Sequence, residues 1–98
     1  KTISITNVVE LTSFNPINRF KVKDKGLIKD GYDADFTFVD LSMTKKISNK
    51  LIKSKCGWTP FHGMKVTGWP VGTMINGNKV FWNEKIIGKP TGKPVKFN

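Results

Sequence analysis

Several residue types are nearly missing from this 98-residue sequence, and each gap closes off a class of function. One cysteine, Cys56, allows no internal disulfide and no cysteine-based structural zinc site. One histidine, His62, rules out a self-contained cluster of imidazole metal ligands. A lone thiol fits a reducing, cytoplasmic setting. The apolar runs are two or three residues long, as at Val8-Val9 and Ile86-Ile87, where a bilayer span needs about 20, so no membrane is expected as a partner. Lys1 is followed by alternating polar and apolar residues, not by the apolar block of a secretory leader.

Negative charge is also scarce. Seventeen basic residues face 7 acidic ones, a net charge of +10 that at first suggests nucleic acid. The kind of positive charge argues against it. Only Arg19 is arginine, and base readers favour its bidentate fork over the point charge of lysine. The lysines spread from Lys1 to Lys96 without strong clustering, beside eight asparagines, a composition that an AT-rich genome produces as background.

What is present divides into three stretches. Ile5, Val8, Val9 and Thr12 keep the spacing of one helix face, with Ser4 as cap. Asn15-Pro16 should end that helix near Thr12 to Phe14, and Pro16 should open a second short helix to about Phe20 or Lys21, capped by Asn15. From Gly26 the pattern reads as β. Asp35 to Leu41 alternates with apolar groups on both faces, which predicts a central strand covered on two sides. Lys65 to Trp69 is a further strand. Gly72 to Ile75 and Lys79 to Trp82 flank Asn76-Gly77-Asn78, a strong hairpin signal, and Asn83-Glu84 turns into a short strand, Lys85 to Ile87. Short strands at this spacing suggest a sandwich or a partly open barrel. The tail from Gly88 to Asn98 reads as an extended strap anchored by Val95 and Phe97. Its glycine spacing, and the proline after Lys93, exclude a phosphate-binding loop.

Groups capable of chemistry are few. Nucleophilic catalysis needs a base, and His62 is the one candidate. Cys56 and His62 are six residues apart, but a buried inert thiol and a loop imidazole account for them more simply. Asp33, Asp35 and Asp40 are close in sequence and suit turn and cap duty. Trp58, Trp69 and Trp82 read as core or hairpin-pair residues. No residue of the chain is assigned a catalytic, cofactor-binding or metal-binding role.

Five segments carry a family resemblance. Gly26-Leu-Ile-Lys-Asp-Gly31-Tyr-Asp-Ala34-Asp35, followed by Phe-Thr-Phe-Val-Asp40, resembles the G-x-I-x-x-G-x-x-A-D turn and strand of the amidohydrolase superfamily. Leu11-Thr-Ser-Phe-Asn15-Pro16-Ile-Asn-Arg-Phe20 resembles the helix and Asn-Pro junction that closes its metal-dependent (β/α)8 barrel. Ser54-Lys55-Cys56-Gly57-Trp58-Thr59-Pro60-Phe61-His62-Gly63-Met64 resembles the dihydroorotase segment S-[KR]-C-x-W-[ST]-P-[FY]-x-G, with His62 where glutamate or aspartate is often found. Val66 to Thr73, and Gly92 to Phe97, are similar to the last hairpin and tail of the same family.

The resemblance implies an α+β, mainly β fold. Residues 1–23 would be the terminal helices of the barrel, and residues 24–98 the C-terminal part of a composite β-sandwich with an extended tail. It implies a C-terminal fragment of a dihydroorotase, whose parent interconverts N-carbamoyl-L-aspartate and L-dihydroorotate in pyrimidine biosynthesis with zinc as cofactor. The zinc ligands of that family lie on barrel strands and would precede residue 1. Its partners would be a small-molecule substrate for the parent, plus the barrel and the N-terminal sandwich strands for this segment. The segment itself would be structural and inactive, and alone it would self-associate or stay loosely packed. A non-catalytic dihydroorotase-like subunit, or a related cyclic amidase such as an allantoinase or dihydropyrimidinase, shares the pattern. A small basic nucleic-acid-binding β-domain is the third reading.

Overall fold

The structure is a computed structural model that describes residues 2–98. A helical segment leads through a long loop into four antiparallel strands and an extended tail.

Helix α1 spans Ile5–Val9, and the Ser4 hydroxyl oxygen caps it by accepting the Asn7 N–H at 3.1 Å. The expected break before Asn15-Pro16 does not occur. The helix widens into a π-turn over Glu10–Phe14 and continues as α2, Asn15–Arg19. Asn15 is helical, not a cap, and its N–H reaches back to the Glu10 carbonyl. Proline has no N–H to place, and its ring crowds the carbonyl four residues back. A turn widened by one residue relieves that crowding without ending the helix. Gly26 then closes on α2. A Cβ there would fall 2.5 Å from Cγ1 of Ile17, and its φ of +86° is left-handed, so both space and backbone require glycine.

The stretch after Gly26, read as β from the sequence, is a loop. Asp33 donates its N–H to the Asp24 carbonyl at 2.8 Å, folding the segment back on itself before the first strand starts at Phe36. Strands β1 (Phe36–Lys46), β2 (Lys65–Ile75), β3 (Asn78–Trp82) and β4 (Lys85–Ile86) form one meander in sequence order. Both expected turns are present, the first shortened to two residues because Asn78 already belongs to β3. Asn76 and Gly77 have φ of 49° and 77°, and Asn83 and Glu84 have 46° and 67°, the all-positive pattern that matches strand twist. A bulge breaks β1 between Asp40 and Thr44. There Asp40 Oδ1 accepts the N–H groups of Ser42 and Met43 at 2.9 and 3.1 Å, the local duty its position suggested.

One expectation about the sheet changes. Among the described residues β1 is an edge strand, paired with β2 alone, not a central one. Its two apolar faces are real, but Val39 and Leu41 remain 49% and 60% exposed because no other layer of the described residues lies over them. A sandwich would need a second sheet, and the described residues hold one.

The packing centre is small. Phe38, Gly72 and Trp82 are cross-strand neighbours on one face. The rings of Phe38 and Trp82 meet edge to face, with centroids 5.3 Å apart. Gly72 is the one buried residue among those described, and no hydrophobic side chain is fully buried. The accessible surface is 8181 Å². A compact protein of this mass would expose roughly 5,600 Å². The radius of gyration is 15.3 Å, against about 13 Å for a compact chain of this length. An excess of that size, carried by side chains such as Ile28, Leu41, Trp58 and Ile86, leaves the hydrophobic driving force largely unused.

The isolated 98-residue chain is therefore expected to self-associate, or to bind a hydrophobic dye as a loosely packed monomer. Sedimentation and dye fluorescence distinguish the two. A monomer with a sharp, cooperative unfolding transition would contradict both.

Candidate functional site

Polar side chains gather in two places, the loop before β1 and the loop between β1 and β2. In the first, Lys25 Nζ lies 2.8 Å from Asp33 Oδ2 and is also bonded by Asp35 Oδ2. The other Asp35 oxygen accepts the Asn76 N–H at 2.8 Å, and the Gly77 N–H donates to the Ala34 carbonyl at 3.0 Å. Ala34-Asp35 thus clamps the β2–β3 turn to the loop. Sequence reading found the aspartates but missed Lys25 and Asn76. The available signal was the glycine pair Gly26 and Gly31, both left-handed, which turns the loop back so that Lys25 faces residues eight and ten positions later.

This cluster shifts both kinds of group. Hydrogen bonding to Asp33 first, and then to Asp35, raises Lys25 above the usual lysine value. Lys25 first, and then the Asn76 N–H, hold Asp35 below the ordinary carboxylate value. Asp35 therefore adds stability above its unfolded pKa of about 3.9, lost as pH falls through its lower folded value. Lys25 adds stability below its unfolded pKa of about 10.4, lost as pH rises through its higher folded value.

The second loop is closed by backbone pairing of Ile47 with Gly63 and Met64. Asn49 staples it from inside. Its N–H donates to His62 Nδ1 at 3.0 Å, and its side-chain oxygen accepts the Thr59 N–H at 3.0 Å. Asn49 was also missed, because nothing in its local sequence marks a contact thirteen residues away. His62 is a loop imidazole, as expected. Cys56 is not buried as expected but exposed, because the turn that Gly57 closes on Ser54 lies on the surface. Its Sγ lies 3.0 Å from the Ser54 hydroxyl, which lowers the thiol pKa, with a smaller lowering from a backbone hydrogen bond of Trp58. Cys56 and His62 hydrogen-bond different partners and form no nucleophile–base pair.

The tryptophans separate in role. Trp82 packs on Gly72 as a hairpin-pair residue, and Trp69 lies half-buried with Lys45 Nζ 5.9 Å from its ring. Trp58, expected in a core, is 60% exposed on the loop, since the described residues place nothing against it. The tail is a strap, but Val95 and Phe97 are exposed and do not anchor it. Thr91 does, donating to the Ile75 carbonyl and accepting from Asn76 through its own carbonyl, along with backbone pairing of residues 96 and 98 to 23 and 21.

Among the described residues no three His, Cys, Asp or Glu side chains converge to hold a metal ion. Asp33 and Asp35 are already engaged by Lys25, and Cys56 and His62 are tied to separate partners. This donor set does not fit the zinc that the resemblance implies.

The model of the amidohydrolase family matches residues 1–80. The chain belongs to the amidohydrolase family. It is 40% identical over 93 residues to a dihydroorotase of Pyrococcus furiosus, covering 95% of this chain and 22% of that protein. An allantoinase of Desulfitobacterium hafniense is 32% identical over 92 residues, covering 94% of this chain and 20% of that protein. Among solved structures, an L-hydantoinase (dihydropyrimidinase) from Arthrobacter aurescens matches with a TM-score of 0.82 and 32% identity, over 89% of this chain and 20% of that one. This amidohydrolase chain is similar to dihydroorotases along most of its own length, and it spans about a fifth of the length of the curated relatives it matches.

Two outcomes test the local chemistry. Protection of the Asn76 amide against exchange, taken relative to its intrinsic rate, should fall as pH drops through the depressed pKa of Asp35, and Asp35→Asn should lower that protection at neutral pH and remove the acid limb. Cys56 should alkylate readily at pH 7.5, and Ser54→Ala should slow it there while leaving the rate near pH 10 unchanged, where the thiol is ionised in both proteins.

Proposed function

We propose that this chain is a structural segment from the C-terminal part of a dihydroorotase, the zinc-dependent hydrolase that interconverts N-carbamoyl-L-aspartate and L-dihydroorotate in pyrimidine biosynthesis. The observation that carries the reading is the 40% identity to an archaeal dihydroorotase along nearly the whole chain. Residues 1–23 are terminal helices of the barrel, and residues 24–98 are the C-terminal share of a composite β-sandwich. The zinc ligands and the general base belong to other parts of the polypeptide, which acts on its small-molecule substrate in the cytoplasm.

The large uncovered surface supports this division of labour. An unpaired outer edge on β1, apolar groups on both sheet faces and a cleft of about 750 Å³ between the helices and β1 are surfaces that other parts of one polypeptide would cover. Val8, Val9 and Thr12 line that cleft from the helix, and Phe36, Thr37 and Val39 from the strand.

A related cyclic amidase is the second reading, favoured by the allantoinase and hydantoinase matches at 32% identity. Substrate choice separates the two. The complete polypeptide should hydrolyse dihydroorotate with zinc bound and leave allantoin and hydantoin untouched. The 98-residue chain alone should neither turn over dihydroorotate nor bind zinc stoichiometrically by calorimetry. Preference for allantoin or hydantoin would favour the second reading, and activity in the isolated chain would overturn the structural assignment.

A further inference from the structure

We propose that the cleft where the tail crosses residues 21–25 binds a phosphate dianion. The cleft holds about 180 Å³ and is lined by Lys23, Lys25, Lys93 and Lys96, with Asp24 and Asp33. Val22 and Phe97 form an antiparallel bridge, the Lys23 N–H donates to the Lys96 carbonyl at 2.8 Å, and the Asn98 N–H donates to the Lys21 carbonyl at 2.8 Å. That register sets Lys23 directly opposite Lys96, so the two side chains leave the same face of the pair. Like charges facing each other across strands are destabilising, and no carboxylate lies within ion-pair distance of Lys23, Lys93 or Lys96 among the described residues.

Among the described residues Asp24, which also lines the cleft, makes no ion pair with these lysines, and the other two acids are committed elsewhere. Asp33 is bonded to Lys25, and Asp35 is drawn to the same ammonium and to the Asn76 amide. Lys25 is thereby held as one wall of the cleft, which Lys23, Lys93 and Lys96 also line. Lysine is a point charge with three donors, suited to a compact tetrahedral anion more than to the planar fork that arginine gives a carboxylate. A phosphate carries close to two negative charges at neutral pH and enough acceptor oxygens for three ammoniums. The ligand is thus inorganic phosphate or the phosphate group of an ester, and both share this chemistry.

The test is calorimetric titration of the complete polypeptide with sodium phosphate at fixed ionic strength, and in parallel with phenyl phosphate. Saturable binding of one phosphate per chain is expected. Lys23→Gln, Lys93→Gln and Lys96→Gln should each raise Kd about three- to fivefold, the range of a single exposed charge pair. Lys55→Gln, on the distant loop, should leave Kd unchanged. Tighter binding of phenyl phosphate supports an ester ligand, and equal binding supports free phosphate. Without phosphate, Lys96→Gln should raise the melting temperature by removing one member of the facing pair, a readout that does not depend on titration. Non-saturating binding, or equal affinity in all three cleft variants and the wild type, would overturn the proposal. So would a lowered melting temperature for Lys96→Gln in phosphate-free buffer.

Discussion

Trp82 lies across Gly72 because that position has no side chain, and the register of three strands depends on this contact. A Cβ on residue 72 would fall 2.4 Å from the indole Cζ3 and 3.4 Å from the Phe38 ring. The aromatic covers glycine backbone that would otherwise be exposed, and Phe38 closes over it from the neighbouring strand. β1, β2 and β3 are pinned at one row, and the turns at Asn76-Gly77 and Asn83-Glu84 carry that row outward to β4. A one-residue slip of β3 would turn Trp82 to the other face and leave Gly72 bare.

One pinned row is little to hold 98 residues. The remaining cohesion is polar: the Lys25–Asp33–Asp35 cluster, the Asp35–Asn76 clamp, the Asn49 staple and the Thr91 strap. Such bonds add about 1 kcal/mol each, and the exposed ones add less. They fix the relative placement of loops and hairpins but do not replace a buried core. Local geometry is well specified while the apolar faces stay open, the pattern expected of a segment whose hydrophobic partners lie elsewhere in an amidohydrolase.

The turns and the Ser4 cap were legible because they depend on residue type at fixed offsets, and Asn-Gly has few other uses between alternating strands. Asn15-Pro16 misled because the proline rule presumes α-helical spacing, and one widened turn satisfies the ring without a break. The place of β1 in the sheet could not be read from its alternation. Apolar residues on both faces show that cover is required, not whether these 98 residues supply it. Cys56 failed for a related reason. Thiols are buried on average, but this one follows Ser54 into a surface turn. The family motifs, by contrast, needed only residue identity in order along the chain, and they located the family before any contact was known.

The two aspartates of the motif before β1 lie close together, as an acid–base pair would require. Their surroundings point the other way. A general base works best when its pKa lies near the operating pH, which burial or a like charge can bring about by raising a carboxyl. Asp35 is moved in the opposite direction by Lys25 and by the Asn76 amide, both of which favour its charged form. Its oxygens are occupied by an ammonium on one side and a backbone donor on the other, leaving no geometry for a substrate proton. The same two bonds that make it a poor base make it a good clamp, since each holds a different segment to the start of β1. In this chain Ala34-Asp35 is an architectural motif: it fixes where the first strand begins and where the β2–β3 turn must lie.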